Sequence, residues 1–178
     1  MKKLVLTLAI VFAGIMSANA QVWVGGGLGA DVQKHHTGFS IAPEVGYMIP
    51  NTPFTVALGT VYQFNKMDRA DNIKEITNSL SLQPYFRYVP LTIANKFSLF
   101  LDLTADFNLI DAAPKGAYAV TLQPGIAWMA TEKWTAAFRF GKIGYSHNFY
   151  KDANEQPIDG FLMNCDLAAP SIRIYYNF

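Results

Sequence analysis

Few residues of this chain combine the types and spacing that catalysis or metal binding requires. His35-His36, with Asp31 and Lys34 beside it, comes first, because imidazole nitrogens bind zinc well. In extended chain, adjacent histidines point to opposite faces, so the pair reads as a solvated loop and no metal is expected. Ser146-His147-Asn148, with Asp152 and Glu155 following, offers a hydroxyl, an imidazole and a carboxylate. Those are the parts of nucleophilic catalysis when they meet within hydrogen-bond reach. Gly25-Gly26-Gly27-Leu28-Gly29 has the glycine content of a phosphate loop but no Lys-Ser or Lys-Thr after it. A bend or a close backbone approach in a strand is the expected role. Cys165 is the single cysteine, expected to be a buried, inert thiol on an inward phase near one rim. No cofactor follows from these sets, and no enzyme is expected.

A second group is picked out by alternation. Glu44, Gln83, Arg87, Asp102, Asp106, Gln123, Arg139 and Arg173 each interrupt segments whose alternate residues are apolar. Three arginines (Arg87, Arg139, Arg173) balance three carboxylates (Glu44, Asp102, Asp106). Charges confined to an interior must pair or bear a heavy desolvation cost. The expected use is therefore structural, as an internal salt-bridge network. Glu44, Arg87, Asp102, Arg139 and Arg173 all fall about three to six residues from short turns, which predicts one layer.

The elements that position them read as strands. In Phe97 to Phe107, one phase is Phe97, Leu99, Leu101, Leu103, Ala105 and Phe107. The other is Ser98, Phe100, Asp102, Thr104 and Asp106, the period-two pattern of a strand with unlike faces. The last residues behave alike, with Ile172, Ile174, Tyr176 and Phe178 against Ser171, Arg173, Tyr175 and Asn177. A weak repeat supports the pattern: Ile41-Ala42-Pro43, Leu82-Gln83-Pro84, Leu122-Gln123-Pro124 and Ala168-Ala169-Pro170 recur at roughly hairpin-sized intervals. Eight strands are predicted, over 22–32, 38–49, 54–65, 76–89, 96–107, 117–130, 134–145 and 164–178. Connections 50–53, 90–95 and 131–133 are short. Connections 66–75, 108–116 and 146–163 are longer and polar, and 33–37 is the shortest of that set.

Composition agrees. The chain has 178 residues, 51% of them hydrophobic and 15% charged, against about 25% charged in ordinary soluble domains. This hydrophobicity excludes disorder, and one cysteine excludes a disulfide scaffold. The formal charge of +1 gives no support to nucleic-acid binding. Lys2-Lys3, the apolar run from Leu4 to Met16 and Ala18-Asn19-Ala20 describe a secretory signal, cleaved to leave 21–178 as one domain. The apolar run is too short to span the ~30 Å hydrocarbon layer as a helix.

The direction of alternation selects the kind of barrel. A soluble barrel turns its polar phase to water. Here the apolar phase is the larger, and it carries Tyr47, Tyr88, Phe97, Trp128, Trp134, Tyr176 and Phe178 near the short turns. Aromatic girdles, short turns at one end and longer loops at the other mark a membrane barrel. The expected fold is an all-β, eight-stranded antiparallel up-and-down transmembrane barrel.

The export signal, the eight alternating segments and the ending Ile172-Arg173-Ile174-Tyr175-Tyr176-Asn177-Phe178 resemble the small eight-stranded outer-membrane barrels of Gram-negative bacteria, the OmpA-type and OmpX-type family. The resemblance implies integral residence in the outer membrane and contact with its lipid. It also implies that Ile174, Tyr176 and Phe178 form an assembly signal read by the barrel-insertion machinery. Loops 66–75 and 146–163 would be displayed outside to an extracellular partner. Lipid-A-modifying enzymes share the barrel, but their His-x-Ser-Asn order is absent here. The expected function is a scaffold plugged by its charges, with a small porin-like channel as the alternative.

Overall fold

The computed structural model describes residues 21–33, 36–68, 74–110, 116–151, 156–165 and 171–178. Ten strands occur in these residues: β1 (Val22–Gln33), β2 (His36–Met48), β3 (Phe54–Asp68), β4 (Lys74–Ile93), β5 (Phe97–Ile110), β6 (Tyr118–Met129), β7 (Trp134–Arg139), β8 (Lys142–Lys151), β9 (Pro157–Asn164) and β10 (Ser171–Asn177). All pairings are antiparallel. β7 and β8 lie end to end against β6, and β10 and β9 lie against β7 and β8 in turn. The ten strands therefore form eight walls, and β1 closes the ring by pairing with both β2 and β10.

Alternation sets what each face holds. On β5, Phe100, Asp102, Thr104 and Asp106 are buried, while Phe97, Leu99, Leu103 and Phe107 are exposed. The same division runs round the barrel and is inverted relative to a water-soluble protein. The charged Glu44, Arg87, Asp102, Asp106 and Arg139 are buried, and among the described residues 31 large apolar side chains are exposed. Soluble monomers rarely expose apolar patches beyond a few hundred Å², so this outer surface belongs against lipid. Phe97, Trp128, Trp134 and Tyr88 girdle the short-turn end, and Phe107, Tyr118, Tyr145 and Tyr62 girdle the other. Ten residues separate Phe97 from Phe107. At about 3.3 Å each and a tilt near 40°, they rise roughly 25 Å, the height of a membrane barrel's apolar band.

Three inward aromatics fill the bore near the short turns. Trp23 and Tyr175 stand with ring centroids 4.3 Å apart, and Phe100 is 3% exposed. Glycines opposite them provide the room: a Cβ at Gly46 would meet Trp23 at 2.2 Å, and one at Gly125 would meet Phe100 at 2.1 Å. In the short turn after β4, Ala94 and Asn95 both have positive φ, the conformation that matches a two-residue turn to strand twist.

Several expectations are corrected. β4 runs through Pro90 to Ile93, so the turn is confined to 94–96, and an irregularity between Tyr88 and Leu91 accommodates the proline. The long connections are shorter than predicted, because β3 continues to Asp68, β4 begins at Lys74, β8 reaches Lys151 and β9 begins at Pro157. Polar strand ends beyond the apolar band look like loop in sequence yet still pair. The eighth wall begins at Pro157 instead of residue 164 and consists of β9 and β10. Cys165 is exposed, not buried, because it lies just past the end of β9, where the inward phase counted back from Phe178 no longer holds. The predicted signal, the Lys34-His35 pair, Asp152, Glu155 and Ala168-Ala169-Pro170 lie outside the described residues.

Candidate functional site

The inward charges meet in one connected layer. Arg87 of β4 and Asp102 of β5 are direct cross-strand partners. Arg87 donates through Nε to Oδ1 of Asp102 at 2.7 Å and through Nη2 to Oδ2 at 2.8 Å. Arg139, from β7, donates through Nε to Oδ2 of Asp102 at 2.8 Å. Its terminal nitrogens cross the bore to Glu44 of β2, at 3.0 and 3.3 Å. Glu44 also accepts from Tyr85 Oη at 2.7 Å and Tyr175 Oη at 3.1 Å. Five walls are thus tied across the lumen by groups that are at most 7% exposed. Phe100 lies 4.0 Å from the Arg87 guanidinium carbon, and Tyr85 lies 4.7 Å from that of Arg139, so cation–π contacts add to the ion pairs.

Arg173 joins at the margin. Its Nε is 3.0 Å from Oε1 of Glu44, but the N–H is not aimed at that oxygen and makes no hydrogen bond. Asp106 is buried apart from the layer and accepts a close hydrogen bond from Gln83 Nε2.

One inward charge escaped the sequence reading. Lys142 lines the bore and is electrostatically coupled to Asp106. Strict alternation from Arg139 places residue 142 outside. The structure interrupts the wall at Phe140-Gly141, where Gly141 has φ of 51° and a Cβ would meet the Asn164 carbonyl at 2.3 Å. One extra residue flips the phase of everything after it. Among the described residues Lys142 thus joins Arg87, Arg139 and Arg173 as an inward cation beside the carboxylates Glu44, Asp102 and Asp106.

The layer divides the bore. On the loop side lies a polar cavity of about 770 Å³, with Ser40, Gln63, Ser79, Asp106, Lys142 and Arg173 in its wall. On the short-turn side lies a more apolar cup of about 570 Å³, bordered by Trp23, Met48, Phe100, Met129, Tyr175 and Phe178.

The Ser146-His147 pair does not assemble. Ser146 is fully buried and faces the bore, whereas His147 faces outward and meets Oδ1 of Asp159 at 3.1 Å. Tyr145 donates to the same carboxylate at 3.0 Å. At the C-terminal end, Tyr176 stacks edge-on against Trp134 and Phe178, and the Phe178 N–H donates to the Val22 carbonyl at 3.0 Å. Ile174 is exposed on the outer face.

No protein-family model matches the sequence, and no curated protein matches it. Solved structures with a similar course include the solution structure of E. coli outer membrane protein W, at 9% identity and a TM-score of 0.48, covering 89% of this chain and 98% of that one. A NanC porin structure aligns at 13% identity and a TM-score of 0.40, covering 89% of this chain and 72% of that one. On its own pairing and its inverted distribution of polar and apolar side chains, the chain is a small eight-stranded β-barrel of the outer-membrane type.

Proposed function

We propose that this chain is an integral outer-membrane scaffold whose bore is sealed by its own charges. The observation that carries this reading is the layer of Glu44, Arg87, Asp102 and Arg139, which stands between the two cavities with every member hydrogen-bonded. An eight-stranded interior is only wide enough for side chains to fill, so such a layer leaves no continuous water path. In this reading residues 1–20 direct export, lipid surrounds the apolar band, and the insertion machinery engages Ile174, Tyr176 and Phe178. The loop-side strand ends meet an extracellular partner. The test is a planar-bilayer recording of the refolded protein, for which no steady current is expected.

A narrow porin-like channel is the second reading, favoured by the presence of a cavity on each side of a single layer. A steady, salt-dependent wild-type current would replace the first reading with the second.

A further inference from the structure

We propose that the loop-side cavity is a binding site for a small, hydroxyl-bearing organic acid, with the ligand's oxyanion seated on Arg173. The inference does not depend on whether the layer conducts.

Asp102 is consumed by Arg87 and Arg139, and Glu44 by both terminal nitrogens of Arg139 and by two tyrosine hydroxyls. Arg173 therefore reaches a carboxylate that already accepts four hydrogen bonds, one of them on the nearer oxygen, Oε1. Its Nε lies 3.0 Å from Glu44 without making a hydrogen bond, and its terminal nitrogens donate to no side chain among the described residues. Among the described residues it is the inward arginine that makes no side-chain hydrogen bond. A guanidinium with donors to spare, held in a confined bore, matches an oxyanion by charge and by its planar fork.

The cavity supplies the rest of the site. Lys142 and Arg173 line it beside Arg139, which is already paired with Asp102 and Glu44, and among the described side chains the carboxylate facing them is Asp106, which holds the Gln83 amide. The described part of the wall therefore carries more positive than negative charge. Around it stand uncharged groups that both donate and accept, including Ser40, Gln63, Ser79, Ser81, Gln123 and Ser171. Such groups recognise ligand hydroxyls and give little grip to an apolar molecule. The 770 Å³ volume falls in the range of small-molecule sites. Gly27 keeps the Arg173 guanidinium free to sit at the wall, since a Cβ there would come within 2.4 Å of Nη1.

The test is calorimetric titration of the full chain, refolded in micelles, with gluconate, glucose, acetate and inorganic phosphate as probes. Gluconate should bind, and glucose, acetate and phosphate should each bind more weakly. Arg173→Gln should weaken gluconate by about tenfold or more, the value of one charge-assisted contact, and Arg173→Lys should recover part of it. Circular dichroism establishes that each variant is folded. A second measurement needs no variant: in the ¹⁵N-arginine spectrum of the wild-type protein, gluconate should shift the Arg173 Nε–H signal and leave those of Arg87 and Arg139 in place. The proposal is overturned if glucose, acetate or phosphate binds as tightly as gluconate, if no probe binds, if folded Arg173→Gln binds normally, or if the Arg173 signal does not move.

Discussion

Asp102 is the residue on which the interior depends most. It is fully buried and accepts from two arginines, and Arg87 donates to it twice. Removing one partner of a buried pair typically costs ~3–5 kcal/mol, because the remaining charge stays desolvated and uncompensated. Asp102→Leu leaves Arg87 without its carboxylate and Arg139 with Glu44 alone, but Arg87→Met leaves Asp102 with Arg139. Urea titration of the barrel folded in lipid should therefore show Asp102→Leu as the more damaging change. The double variant should recover part of the combined loss. A coupling below ~0.5 kcal/mol, the scatter of independent sites, would contradict the register that pairs the two residues. The Arg87–Asp102 register itself was legible: a turn centred near residues 93–95 puts residue 87 opposite 100–102, and the paired residue is 102. Lys142 was not legible, because a bulge is a backbone event that alternation cannot register.

At the scale of the element, each strand has one face for lipid and one for the bore, and the two faces tolerate different chemistry. Leu103 lies midway along the apolar phase of β5 and is 49% exposed, while its neighbours Asp102 and Thr104 are buried. Leu103→Arg should cost ~2–4 kcal/mol in the same lipid titration, the depth-dependent cost of a charge near the middle of the bilayer. A harmless Leu103→Arg would mean that this phase does not meet hydrocarbon. Strand identity and phase were readable because every second residue of each wall faces one solvent. Strand ends were less readable. At Lys66, Met67 and Asp68 the alternation of apolar and polar residues fades in the sequence, although Met67 still pairs with His36 and Glu75.

For the whole molecule, closure is made at the short-turn end, where Trp23 pairs with Asn177 and Phe178 hydrogen-bonds Val22. Removing Phe178 deletes one rim aromatic and one hydrogen bond, a modest loss for the folded barrel but the loss of the proposed insertion signal. Cells producing the shortened chain should accumulate it unfolded in the periplasm with an intact mass beginning at Gln21. Normal insertion, or retention of Met1 to Ala20, would count against that reading. The sequence alone determined the barrel, its eight walls, the outward apolar face and the set of Glu44, Arg87, Asp102, Arg139 and Arg173 as inward charges, because a period of two assigns every residue of a strand to a side. The tertiary structure decided who meets whom across the bore: that Arg139 joins Asp102 to Glu44, that Asp106 stands apart with Gln83, and that Arg173 is left over. Those contacts depend on how eight walls are staggered round a ring and on the phase flip at Gly141. Both are properties of the closed sheet and of no single strand.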